Sequence, residues 1–231
     1  MTHPAFLRLQ PALRIATRQF TAALSASALV LGLMAAPGPG AAAATSATFD
    51  TAFVQFQQAL DGQSAAIDRA AQQWRELSNA TPTDPVLRAY AGAATAMMAT
   101  TTLLPWRKMT YAEDGLALID KALAQLTPAH DAPAHLGVPA SLETRFVAAS
   151  TFLGLPGMFN RNERGAKLLG EVVRSPLLDA SPLSFRASVW MTAGNEAAKA
   201  KRADEARQWW QKVAGSGAPQ ADKAQARIKA L

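Results

Sequence analysis

WMTAGNEAAKAKRADEARQWWQKVAGSGAP, residues 190–219, decides the fold. Small and apolar residues recur at helical spacing on both sides of a short charged link: Trp190, Ala193, Gly194 and Ala197 before it, Ala206, Trp210 and Val213 after it. Two helices joined by so few residues must pack antiparallel. Ala and Gly then let the two backbones approach, while a large ring fills the space beside them. Trp209 and Trp210 lie about 100° apart on a helix, so one of the two points away from the main seam.

Working outward, the second-helix spacing recurs. Ala70, Trp74 and Leu77 repeat it ahead of Pro82, and Gly115, Ile119 and Ala122 repeat it ahead of Pro128, as Ala206, Trp210 and Val213 precede Pro219. Ala166, Gly170 and Val173 read as a degenerate version. This pattern resembles the tetratricopeptide repeat, a unit of about 34 residues with a large residue and a small pair in its first helix, and alanine, an aromatic and a closing proline in its second. Ala197 stands where that family has an aromatic, and the proline comes one residue late. Ala91-Gly92 reads as the small pair of an earlier first helix. It precedes Gly115 by 23 residues, whereas Gly194 precedes Ala206 by 12, so about 11 residues are inserted there, among them LLPWRKM, the first part of LLPWRKMTYAEDG, residues 103–115.

The resemblance implies an all-α solenoid of about four antiparallel helix pairs plus a C-terminal capping helix. Helical periodicity, with no sustained alternation, predicts helices over 49–60, 63–79, 85–103, 111–126, 141–154, 161–174, 182–200, 203–214 and 219–230. Asp84-Pro85 and Ser181-Pro182 place a capping acceptor before a proline at the first helical position. Thr110 with Glu113, and Asn160 with Glu163, have capping-box spacing. Pro105 is expected to end the third helix, and Trp106 to fold back on that end.

With 49% apolar and 17% charged residues among 231, the chain can bury one core. Residues 1–44 read as a signal peptide: an n-region over 1–19 with Arg8, Arg14 and Arg18 and no acid, an apolar segment over 20–36, the breaker Pro37 to Gly40, and cleavage after Ala44. One domain, 45–231, follows. The expected location is periplasmic or secreted. The alternative is an uncleaved inner-membrane anchor, for which an apolar run of 17 residues stands at the lower limit of length. The chain has no cysteine, which excludes lipoprotein attachment and disulfide staples. Without the leader, 20 basic residues face 17 acidic ones, a net of +3, interspersed rather than clustered, which argues against a nucleic-acid partner.

The chain contains no G-x-S-x-G, H-E-x-x-H, Ser-x-x-Lys, Walker or dinucleotide fingerprint. His130 and His135, in a Pro-rich link, read as solvated rather than as metal ligands. Glu143, Arg161, Glu163 and Arg164 read as solvated or capping charges, and Trp74, Trp190, Trp209 and Trp210 as packing anchors. The uncharged run from Ala89 to Leu104 is too short to span a bilayer and reads as a buried helix, with Met97 and Met98 filling an irregular core.

The expectation that follows is a non-catalytic scaffold without cofactor or metal, binding a protein or peptide segment. On the resemblance, the groove is lined by first helices, which makes Tyr90, Arg145 and Asn195 candidate contacts. The inserted corner adds Trp106, Arg107 and Lys108. Two other classes stay open at this point: a membrane-anchored envelope component, and an envelope enzyme whose groups converge only in three dimensions.

Overall fold

A computed structural model describes the backbone of residues 39–231 and the side chains from residue 48 on. The expected leader therefore lies outside the described residues, except that its last residues, from Pro39, belong to the first helix. Among the described residues the regular structure is helical, with one isolated bridge between Pro133 and Pro139. The helices are α1 (Pro39–Leu60), α2 (Ser64–Ala80), α3 (Pro85–Met97), α4 (Pro105–Ala124), α5 (Ala140–Gly154), α6 (Asn162–Arg174), α7 (Pro176–Ala180), α8 (Leu183–Lys199), α9 (Ala203–Ala214) and α10 (Ala221–Lys229). Neighbours in sequence are neighbours in space: α1 packs on α2, α2 on α3, α3 on α4, α5 on α6, α8 on α9 and α9 on α10. Contacts of α3 with α5, and of α6 with α8, join the hairpins into one body.

The small residues act at the crossings. A Cβ at Gly115 would lie 2.5 Å from the Gly92 carbonyl oxygen, and one at Gly92 would lie 2.7 Å from the Gly115 oxygen and from Ile119. Backbone meets backbone there, and only glycine fits on both sides. In the α8–α9 hairpin the corresponding Gly194 lies under the Trp210 indole, where an added Cβ would come within 2.5 Å of Nε1. Ile119 and Trp210, aligned by the repeat spacing, thus fill the same place in two hairpins. α3 is buried on almost every side, as the uncharged run from Ala89 predicts.

Several local expectations are corrected. In α6 the buried residues are Gly165, Leu168, Leu169 and Val172, not Ala166, Gly170 and Val173, so all four second helices carry one spacing: a small residue, a large apolar residue four positions on and an apolar residue seven positions on. α3 ends at Met97 in a 3₁₀ turn, and Pro105 opens α4 instead of closing α3. The first residues of the insertion therefore lengthen a helix that begins six residues earlier than expected. Thr110 lies inside α4, where its hydroxyl donates to the Trp106 carbonyl oxygen (3.0 Å), so it caps nothing. Asn160 takes a left-handed conformation (φ 52) and Arg161, which makes no side-chain cap bond, precedes α6. The Ser181 hydroxyl donates back to Leu177 O, and α8 starts without a side-chain cap. Asp84 does cap α3, accepting from Val86 N at 2.8 Å and Leu87 N at 3.2 Å. The short α7 lies in a stretch read as a link, although Ser175-Pro176 has the same chemistry as Asp84-Pro85 and Ser175 accepts from Leu177 N.

Candidate functional site

The six candidate residues lie in different places. Tyr90 is fully buried in an aromatic cluster, stacked on Trp74 (centroids 4.5 Å) and edge-on to Phe49, Phe53 and Phe56. It faces no open groove. Its hydroxyl donates to Glu143 Oε1 (2.9 Å), which ties α3 to α5 across the core. Glu143, read as a surface charge, is 1% exposed. Burial pushes its carboxyl up to about 8; the Tyr90 hydrogen bond opposes that shift and the Asp84 carboxylate adds to it. Burial, reinforced by Glu143, holds the Tyr90 phenol well above its ordinary value.

His135 joins this cluster, where the sequence suggested a solvated loop. Its Nε2 lies 2.7 Å from Asp84 Oδ2, and its ring stacks on Phe49 at 4.2 Å with planes 3° apart. Asp84 is thus an N-cap and the anchor of the 128–139 link at once. Burial would raise its carboxyl, but His135 and the two capping N–H groups together hold it below the ordinary value. Among the described residues no three His, Asp or Glu side chains converge as a metal cluster.

Arg161 and Arg164 are absorbed by packing. Both pair with Asp120 of α4, Arg161 at 3.0 Å, and both guanidinium groups sit over the Phe152 ring. Asn195 is also buried, among the packing residues of α8. Trp74, Trp190 and Trp210 are core anchors, and Trp209 is half-buried against both apolar clusters of the molecule. Trp106 and Arg107 occupy the first turn of α4, with Lys108 half-buried behind them. Trp106 is exposed and does not fold back on α3.

Arg145 is the candidate that borders a cleft. A cavity of about 420 Å³ opens between α5, the end of α6, α7 and the 128–139 link, lined by Asp131, Leu142, Arg145, Glu171, Val172 and Leu177 among others. Leu142 and Val172 are buried and form its floor. Arg145 Nη1 donates to the Ser141 carbonyl oxygen (3.2 Å), and Nε lies 3.9 Å from Glu171 Oε2. Asp131 accepts from the Ser141 hydroxyl, which fixes the link against α5. A guanidinium has five N–H donors, so the one hydrogen bond to Ser141 leaves Arg145 with donor capacity beside the cleft. An apolar floor with a cation and two carboxylates on its walls can hold an extended polar chain with an apolar side group. A second cleft, about 370 Å³ between α1 and α2, carries Glu76 as its one charged lining residue.

Glu171, Ser175 and Leu177 were not singled out from sequence. The Ser175-Pro176 start signal would have placed α7, and with it one wall of the cleft. No family model matches the chain, and no curated protein or solved structure is significantly similar to it.

Proposed function

We propose that this chain is a helical-repeat scaffold, similar to tetratricopeptide-repeat proteins, that binds a peptide segment of another protein in the Arg145 cleft and does no chemistry on it. The observation that carries the reading is the cleft itself, which Arg145, paired with Glu171 and bonded to Ser141 O, lines together with buried Leu142 and Val172. A carboxylate, either a side chain or a chain terminus, takes a bidentate position on such a fork, and an adjacent apolar residue covers the floor. The single spacing shared by α2, α4, α6 and α9 supports the repeat reading, as do the successive hairpins. The candidate contacts contract from first helices at large to one end of α5 and the elements beside it. Export to the periplasm belongs to the same proposal and rests on residues 1–44 of the sequence alone.

Selection of random peptides on the immobilised protein tests the reading. Enriched peptides are expected to carry an acidic group beside an apolar one, and Arg145→Glu is expected to weaken them by roughly tenfold or more, while Arg107→Glu leaves them unchanged. Peptides that bind the Arg145→Glu protein equally well would remove the cleft from the proposal.

A further inference from the structure

The link between α3 and α4 exposes three large apolar side chains within four residues: Leu103 is 92% exposed, Trp106 64% and Leu104 38%. Single exposed apolar residues are ordinary, but a cluster at a protruding turn marks a surface that meets something. Arg107 stands exposed beside it, and neither the link nor the first turn of α4 contains an acid; the nearest in sequence are Asp84 and Glu113. A helix N-terminus already carries partial positive charge, so cations without acids leave this end electropositive.

The three threonine hydroxyls of the turn find partners within it. Thr100 donates to Met97 O (2.7 Å), Thr101 to Met98 O (2.9 Å), and the Thr102 hydroxyl oxygen accepts from Leu104 N (3.2 Å). Pro105 has no N–H to satisfy. Hydroxyls that have found partners locally leave water at lower cost than free ones. An exposed tip with Leu, Leu and Trp for the acyl boundary, and an arginine at headgroup level, has the chemistry of an interfacial anchor.

We propose that the α3–α4 tip docks on an anionic lipid surface, with Leu103 and Trp106 entering the interface and Arg107 meeting the phosphates. Charge complementarity favours this occupant over a second copy of the chain, because a two-fold contact through the tip would set Arg107 against Arg107. Shape favours it over a peptide: at 92% exposure Leu103 has no wall of protein beside it, so the tip offers a point and not a groove. The inference is independent of the cleft at Arg145.

The full chain has no cysteine, so Leu103→Cys gives one attachment site for an environment-sensitive fluorophore. Vesicles of phosphatidylcholine with phosphatidylglycerol are expected to shift the label's emission to the blue with a severalfold gain in intensity. The same label on Asp204→Cys, at the far end of the chain, is expected to stay in water. Adding Trp106→Ser and Arg107→Glu to the labelled protein is expected to abolish the shift. Four results would overturn the proposal: a label that remains aqueous while the protein sediments with vesicles, as when only the leader binds; an equal shift with phosphatidylcholine alone; a concentration-dependent shift without vesicles, which assigns the tip to a second copy; and a shift with poly-glutamate but not with vesicles, which assigns it to an acidic protein.

Discussion

Glu143 has the least expected environment of any residue in the fold. Unfolded, it releases its proton near its ordinary value of 4.5; folded, it holds the proton until about 8. Its contribution to stability is therefore complete below 4.5 and is lost as pH rises through 8. Asp84 works in the opposite sense: its carboxyl is depressed, so its contribution is present above its unfolded value of 3.8 and fades as pH falls below that. Glu143→Gln keeps an acceptor for the Tyr90 hydroxyl and removes the titration. Denaturant unfolding of both proteins across neutral pH is expected to show wild type losing up to about 1.4 kcal/mol per pH unit relative to the variant. A constant difference across that range would mean that Glu143 does not titrate there. SLETRF shows that Glu143 and Arg145, about 200° apart on a helix, cannot share a face. It does not show which one turns inward, because the partner that decides it, Tyr90, is 53 residues away.

At the level of elements, the start of α4 separates a spacing from a function. Thr110 and Glu113 have the capping-box interval, yet the helix begins at Pro105 and Thr110 bonds back to Trp106. Pro105 is compatible with both an end and a beginning, and what favours the beginning is packing: α3 and α4 must run far enough together to bring Gly92 against Gly115. Thr110→Ala is expected to change stability by less than about 0.5 kcal/mol, since alanine suits a helix interior. Asp84→Ala removes two cap bonds and the His135 contact, and is expected to cost about 1–3 kcal/mol. Thermal unfolding of the two variants side by side checks both figures, and a large loss from Thr110→Ala would restore the capping role. Helix existence and the Gly92 and Gly115 positions were legible here. That the two glycines touch each other was not, because an insertion concealed the register between them.

Across the whole molecule, apolar burial falls into two clusters. One runs from Phe49 to Ala193, and the other joins α8, α9 and α10 around Trp190 and Trp210. Stacked hairpins are held mainly by their neighbours, so the C-terminal cluster can loosen without the rest. Trp210→Ala leaves Gly194 facing a void and is expected to cost about 3–5 kcal/mol. Hydrogen exchange is expected to speed through α8, α9 and α10 while α3 and α4 keep their protection; uniform acceleration would mean one cooperative unit. The all-helical architecture and its sequential pairing were legible because each hairpin repeats one spacing. The α6 register slipped by one residue because Leu168 and Leu169 are both apolar and Gly165 and Gly170 compete for the small position. Phe49 carries a consequence for the proposed removal of the leader. Its ring covers His135 and packs on Trp74 and Tyr90, yet it stands only five residues beyond Ala44. Trimming after Ala44 keeps that ring, whereas a protease cutting a few residues later would strip it away and admit water to Glu143 and Asp84. If the leader is removed as proposed, the tolerance of that cut is set by one aromatic side chain, and a ragged N-terminus would be a folding defect.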